Sequence, residues 1–174
     1  MKVAKQLANR DGLTTTLVEM NLGQLKRFAR VLPSTEARNV RSQFIKSFID
    51  TGSEFFRKRV QRKRRFSDGL CYEGYLWDCL KNPRRIAFRT LLKRILQKRQ
   101  VFVLWDINSS DRIWVRDYWL FPKASVLEVP TEVLVSNLAF LPEDVYFFDK
   151  SFRWSLILTH EDIRGGRLCI AAKP

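Results

Sequence analysis

At Val101 the apolar residues of this chain abandon helical spacing, and that change divides the sequence into two kinds of segment. Upstream, Leu22, Leu25, Phe28, Ala29 and Leu32 recur every three or four residues, the spacing of one helical face. Asn21 offers a cap for that helix and Pro33 a stop. Over residues 35–66, Phe44, Phe48 and Phe55 form one row and Ile45, Ile49, Phe56 and Val60 a second, so the spacing predicts a helix with a broad apolar face. Gly52 interrupts the pattern, and a break is predicted near Asp50–Ser53. Ser67-Asp68-Gly69 is a turn signal, and residues 71–81 read as a short aromatic helix. Asn82 and Pro83 then supply a cap and a first-turn proline for a helix to residue 99 that buries Ile86, Phe88, Leu91, Leu92, Ile95 and Leu96.

Downstream the pattern is that of strands. VFVLWDI, the turn NSSD and RIWVRDYWLF predict a β-hairpin, with Trp105, Trp114 and Trp119 as packing residues. Residues 131–141 read as a short helix between prolines. A second hairpin is predicted for 144–161, and Gly165-Gly166 turns the chain into a last strand, RLCIAA. The expected fold is α+β: a basic α-helical part, 1–100, packed on a small antiparallel sheet with one further helix, 101–174, as one compact unit.

Charge follows the same division. Residues 1–100 hold 24 Lys and Arg against 8 Asp and Glu, a net of +16, while residues 101–174 hold 8 against 10. The formal excess of +14 therefore lies wholly in the first part. Its densest stretch, RKRVQRKRR at 57–65, is cationic at seven of nine positions, and residues 84–99 contain no acid. Ordinary solvated faces mix signs, so this pattern points to a polyanion, and nucleic acid is the expected partner. The residues expected to contact phosphates are Arg57, Lys58, Arg59, Arg62, Lys63, Arg64 and Arg65, with Arg85, Arg89, Lys93, Arg94 and Lys98. Two such helical stripes in one small domain are expected to line a groove or flank a duplex. The bland alternatives are a solvated helix face or a localisation signal. Tyr72, Tyr75 and Trp77, between the stripes, read either as base-stacking residues or as core.

Catalytic constellations are sparse. His160 is the one histidine, with Glu161 or Asp162 placed to orient it, and no serine or cysteine sits in a nucleophile motif. A structural role for His160, bonding across the sheet, is the simpler reading. Carboxylates at Glu143-Asp144 and at Asp106, Asp111 and Asp117 would serve a two-metal nuclease only if they converged. No metal site and no phosphate-binding glycine loop is recognisable, so no cofactor is expected. Cys71, Cys79 and Cys169 are odd in number and form no paired motif, and the first ten residues are too charged for a signal peptide. No stretch reaches the roughly 20 apolar residues of a membrane span. A cytoplasmic protein without a membrane partner is expected.

DVYFFDKSFRWSLILTHE, residues 144–161, resembles the C-terminal signature of a bacterial family known only as a domain of unknown function. The matching positions are Asp144, Tyr146, Asp149, Phe152, Trp154, Thr159, His160 and Glu161. The likeness covers about 20 residues, and after Glu161 the chain departs from the family's glycine-proline-aromatic ending. The resemblance implies a hairpin and a bacterial or phage origin. Two functions compete on these grounds. One is non-catalytic nucleic-acid binding. The other is a phage- or mobile-element-encoded inhibitor or accessory protein that docks on a nucleic-acid-processing protein or ribonucleoprotein, through exposed aromatics such as Trp114, Tyr118 and Trp119.

Overall fold

A computed structural model describes residues 25–66, 69–72, 74–106, 121–122, 124–142, 144–163 and 166–174, with the side chains of 63–66, 69–72 and 140 outside the description. Its centre is a seven-stranded antiparallel sheet made from both halves of the chain. The strands are β1 (Arg30–Val31), β4 (Arg84–Ile86), β5 (Gln100–Trp105), β6 (Leu127–Pro130), β7 (Val145–Phe148), β8 (Ser155–Ile163) and β9 (Gly166–Ala172), in the spatial order β1-β6-β5-β7-β8-β9-β4. A separate two-stranded hairpin joins β2 (Lys63–Phe66) to β3 (Gly69–Tyr72). The α+β class stands. The division at residue 100 does not, because β1 and β4 from the basic part form the two edges of the sheet.

Alternation along the inner strands explains the layers. Phe102 and Leu104 of β5, Tyr146 and Phe148 of β7, Ile157 of β8 and Ile170 of β9 share one face. Val101, Val103 and Trp105, Val145 and Phe147, Leu156 and Leu158, and Cys169 share the other. Each face has its own helical cover, as a sheet apolar on both sides requires. Helix α1 (Ser34–Phe48) brings Ala37, Phe44 and Phe48 to the first face, where Val60, Leu76 and Leu80 join them. Helices α2 (Phe88–Leu96) and α3 (Thr131–Ser136) bring Leu91, Ile95 and Leu134 to the second.

The long helix over 35–66 breaks where the glycine predicts. After Phe48 the chain turns at 50–53, with the Gly52 amide donating to Asp50 Oδ1 at 3.1 Å. The Lys81 ammonium closes the C-terminus of α1, donating to the Lys46 carbonyl at 2.8 Å. Past this break the chain forms a single wide π-helical turn, Phe56–Val60, and then β2, so Lys63, Arg64 and Arg65 lie on strand backbone instead of a helix. Three other expectations are corrected. Residues 25–28 are helical, but Arg30–Val31 pairs with β6 instead of extending that helix. Among the described residues of 71–81 only Leu76–Cys79 is helical, as a 3-10 turn. Arg84–Ile86 is a strand, and α2 starts at Phe88. The short edge strands override helical spacing because their amides find partners in β6 and β9.

The later elements match their signals: α3 with a following 3-10 turn at Leu138–Phe140, the β7–β8 hairpin and β9. β5 lies between β6 and β7, and residues 107–120, including Asp111, Trp114, Asp117, Tyr118 and Trp119, lie outside the described residues, as do Glu143 and the side chains of Cys71 and Tyr72. Cys79 and Cys169 are buried free thiols, and burial pushes the Cys79 thiol up to about 11. Among the described residues no helix is long and apolar enough to cross a membrane.

Phe44 centres the first face, with ring centroids 5.0 Å from Phe48, 5.3 Å from Tyr146 and 4.8 Å from Phe148. Phe44→Ala is expected to cost about 3–5 kcal/mol in denaturant unfolding, whereas Phe88→Ala, at an exposed ring, costs under about 1 kcal/mol.

Candidate functional site

The cationic surface and residues 144–161 occupy different places. Arg57, Lys58, Arg59 and Arg62 are exposed around the π-helical turn, whose Val60 packs into the first face of the sheet. Arg89, Lys93 and Arg94 are exposed on α2, which covers the second face. The two stripes therefore lie on opposite sides of the sheet and do not line one groove. Between them runs the edge strand β4. Arg84 and Ile86 lie opposite Ala171 and Cys169, on the side of α2, while Arg85 lies opposite Ile170, on the side of the π-helical turn. The cations of β4 thus face both sides of the sheet.

Few of these charges are neutralised. Among the described residues, Arg57, Arg62, Arg84, Arg85, Arg89, Lys93 and Arg94 make no ion pair with a carboxylate. Lys58 pairs with Glu54 one turn earlier on an exposed surface. Lys98, grouped with the phosphate contacts by sequence, is committed elsewhere: its ammonium lies 3.4 Å from Asp149 Oδ2 and 5.0 Å from the centroid of Trp154. The backbones of Lys63, Arg64 and Arg65 run in the β2–β3 hairpin that comes directly after the π-helical turn.

The polar residues of 144–161 mostly hold the fold together. Asp149 accepts from the Ser151 amide at 3.0 Å, from the Ser151 hydroxyl and from Trp154 Nε1 at 2.7 Å, closing the turn between β7 and β8. Burial pushes its carboxyl up, but the donors Ser151, Trp154 and Lys98 outweigh that and hold it below the usual carboxylate range. The Thr159 hydroxyl donates to the Leu168 carbonyl at 3.1 Å. Asp144, almost wholly buried, accepts from the His160 amide at 3.0 Å and from Trp77 Nε1 at 3.1 Å. His160 Nδ1 lies 3.0 and 3.1 Å from its two oxygens. The orienting group is Asp144, not Glu161 or Asp162, which are exposed on the strand beyond.

Beneath this pair lies a second buried carboxylate. Asp106 is fully buried, accepts from the Leu76 amide at 3.1 Å and receives the Tyr146 hydroxyl, which in turn accepts from the Trp77 amide at 2.9 Å. Burial pushes the Asp106 carboxyl up to about 7, against the lowering effect of the Tyr146 hydrogen bond. The Tyr146 hydroxyl is driven well above its ordinary value by burial and by the adjacent carboxylate, so it stays protonated and donates. Tyr75 and Trp77 stack on one another at 5.6 Å and lie 4.9 and 6.0 Å from the His160 ring. These aromatics belong to a network tying the 74–80 segment to β5, β7 and β8, not to the cationic stripes. The sequence groups Asp106 with Asp111 and Asp117 and places Tyr146 in the 144–161 resemblance, but it does not link the two, since their partners lie 30 to 69 positions away. As chemistry, Asp144 and His160 form an oriented carboxylate–imidazole pair, with no nucleophile hydrogen-bonded to the ring among the described residues. Among the described residues no group of His, Cys, Asp or Glu is placed to hold a metal ion.

The chain was compared with protein-family models, with curated proteins and with solved structures, and nothing matches it in any of the three.

Asp106 predicts a defined pH dependence. Its folded value near 7 lies above the ordinary 3.8, so between those values the native state binds more protons than the unfolded chain. Its contribution to stability is therefore greatest at low pH and is lost as pH rises toward and through 7. The unfolding free energy of the wild type, measured against Asp106→Asn, should fall by up to about 4 kcal/mol between pH 4 and pH 8. A difference that stays flat over that range contradicts this.

Proposed function

We propose that the chain is a nucleic-acid-binding protein, without a reaction of its own, that holds phosphates with the cations on both sides of the β4 edge. The observation that carries this reading is the set of seven exposed Arg and Lys residues at 57–94 that no carboxylate neutralises among the described residues. Like charges clustered within each stripe repel one another, and a polyanion relieves that repulsion while releasing its own condensed counterions. Most of the set are arginines, whose planar forks meet phosphate oxygens at two points. The expected contacts are Arg57, Arg62, Arg84, Arg85, Arg89, Lys93 and Arg94, with Lys58 and Arg59 beside them. Lys98 is left out because Asp149 and Trp154 already hold it. The Asp144–His160 signature acts in this reading as a structural tie, and the free thiols Cys79 and Cys169 suit a reducing cytoplasm.

The arrangement of the cations favours a partner that bends. A stiff duplex laid on one face meets only one stripe, whereas a flexible strand can follow the cations around the edge. Binding to DNA and RNA oligonucleotides should weaken steeply with salt. Arg57→Ala with Arg62→Ala, and separately Arg89→Ala with Lys93→Ala, should each reduce the log–log salt slope by about 1.4 for a single strand, with folding intact. Fluorescence anisotropy at several salt concentrations reads this directly. Salt-insensitive or absent binding contradicts the proposal, and a protein partner retained from cell extract after nuclease treatment supports docking on a protein instead.

A further inference from the structure

We infer that Phe55 is a stacking platform for an unpaired base, which makes single-stranded nucleic acid the ligand class. This rests on the phosphate-binding reading above and adds to it a contact that charge alone does not supply.

The periodicity places Phe55 and Phe88 in the core, yet each is 43% exposed. Among the described residues the large exposed apolar side chains are Phe28, Val31, Phe55, Phe88 and Leu96, all within the basic part of the chain. Among the described residues none lies in the near-neutral part beyond residue 100, where the Phe side chains that are described face the core or pack against it. Exposed rings and exposed cations thus coincide, as in surfaces that hold the backbone of a strand by charge and its bases by stacking.

Phe55 is the ring among these that lies against a glycine beside the cationic turn. It immediately precedes the π-helical turn that carries Arg57, Lys58 and Arg59. Its edge rests on Gly74, where a Cβ would come within 2.8 Å of Phe55 Cε1 and 3.1 Å of Arg59 Cβ. Only a residue without a side chain lets the ring lie that close. The Gly74 amide also donates to the Arg59 carbonyl at 3.1 Å, tying that backbone to the cationic turn. One side of the ring is therefore braced while nearly half of the residue remains open to solvent. A ring braced on one side beside exposed cations loses less entropy on stacking a base than an unbraced one. The wide turn has its own closure, Gln61 amide to Phe56 carbonyl at 2.7 Å, and π-helical turns of this kind recur at functional positions.

The experiment compares wild type, Phe55→Ala and Phe55→Trp for binding to a single-stranded oligonucleotide carrying 2-aminopurine and to a duplex of the same length, at two salt concentrations. Melting by circular dichroism checks the fold of each variant. Phe55→Ala is expected to lose roughly 5- to 150-fold in single-strand affinity. Its salt slope and its duplex affinity should stay unchanged, and Phe55→Trp should restore the single-strand affinity and the 2-aminopurine quenching. Unchanged single-strand binding by a folded Phe55→Ala protein overturns the stacking inference and leaves the phosphate-binding reading standing. Equal losses for single strand and duplex also overturn it, because they mark Phe55 as a packing residue. A wild-type protein that binds neither oligonucleotide, or that binds only vesicles of anionic phospholipid, overturns both.

Discussion

Burial of the sheet on both faces is the constraint on which the rest of the molecule depends. Strands β5 and β7 are buried along nearly their whole length, so neither side can be left to solvent. α1 and the π-helical turn must cover one side, and α2 and α3 the other. Each cover has one apolar face to bury and points its charges away. The basic run at 57–62 and the basic stripe of α2 are driven apart by that geometry, onto opposite surfaces. The edge strand β4, with Arg84 and Arg85, lies between them, and its cations also discourage edge-to-edge pairing with a second sheet. Cations on both faces of the sheet and on the β4 edge, in place of a single cationic groove, are the form the charge asymmetry takes.

The polar network beneath Tyr75 and Trp77 solves a different problem. β8 continues past the end of β7, leaving the His160 amide without a strand partner on that side, and the Asp144 carboxylate takes the amide in place of a carbonyl. The same carboxylate orients the imidazole and anchors the Trp77 indole, while Tyr146 and Asp106 take the amides of Trp77 and Leu76. A segment with little regular structure is thereby fixed to the sheet by charge-assisted and neutral hydrogen bonds. Asp106 is the costly member, since an ionised carboxylate at that depth is poorly solvated.

Much of the fold was legible in the sequence, and the failures have a common origin. The β7–β8 hairpin, β9, α3 and the break at Gly52 arise from local signals: alternation, turn residues and a glycine in a helical pattern. β1 and β4 were not legible because they are two and three residues long, and their pairing is decided by strands far away in the chain. Helical spacing alone assigned Phe55 and Phe88 to the core. A break at Gly52 and a start at Phe88 put both rings at element ends, where the periodic argument no longer says which way they face. Charge content could be read along the chain, but the side of the sheet on which each charge falls could not. In the signature, Asp144 and His160 stand 16 residues apart, a spacing that means nothing until β7 and β8 pair.

A polyanionic strand that crosses the β4 edge, as proposed, touches the cations on both faces of the sheet. Hydrogen–deuterium exchange with and without a single-stranded oligonucleotide tests it most directly. Protection is predicted together at 55–62 and at 84–94, with 155–163 unaffected. Protection centred on Trp77 and His160, or confined to one of the two cationic segments, contradicts it.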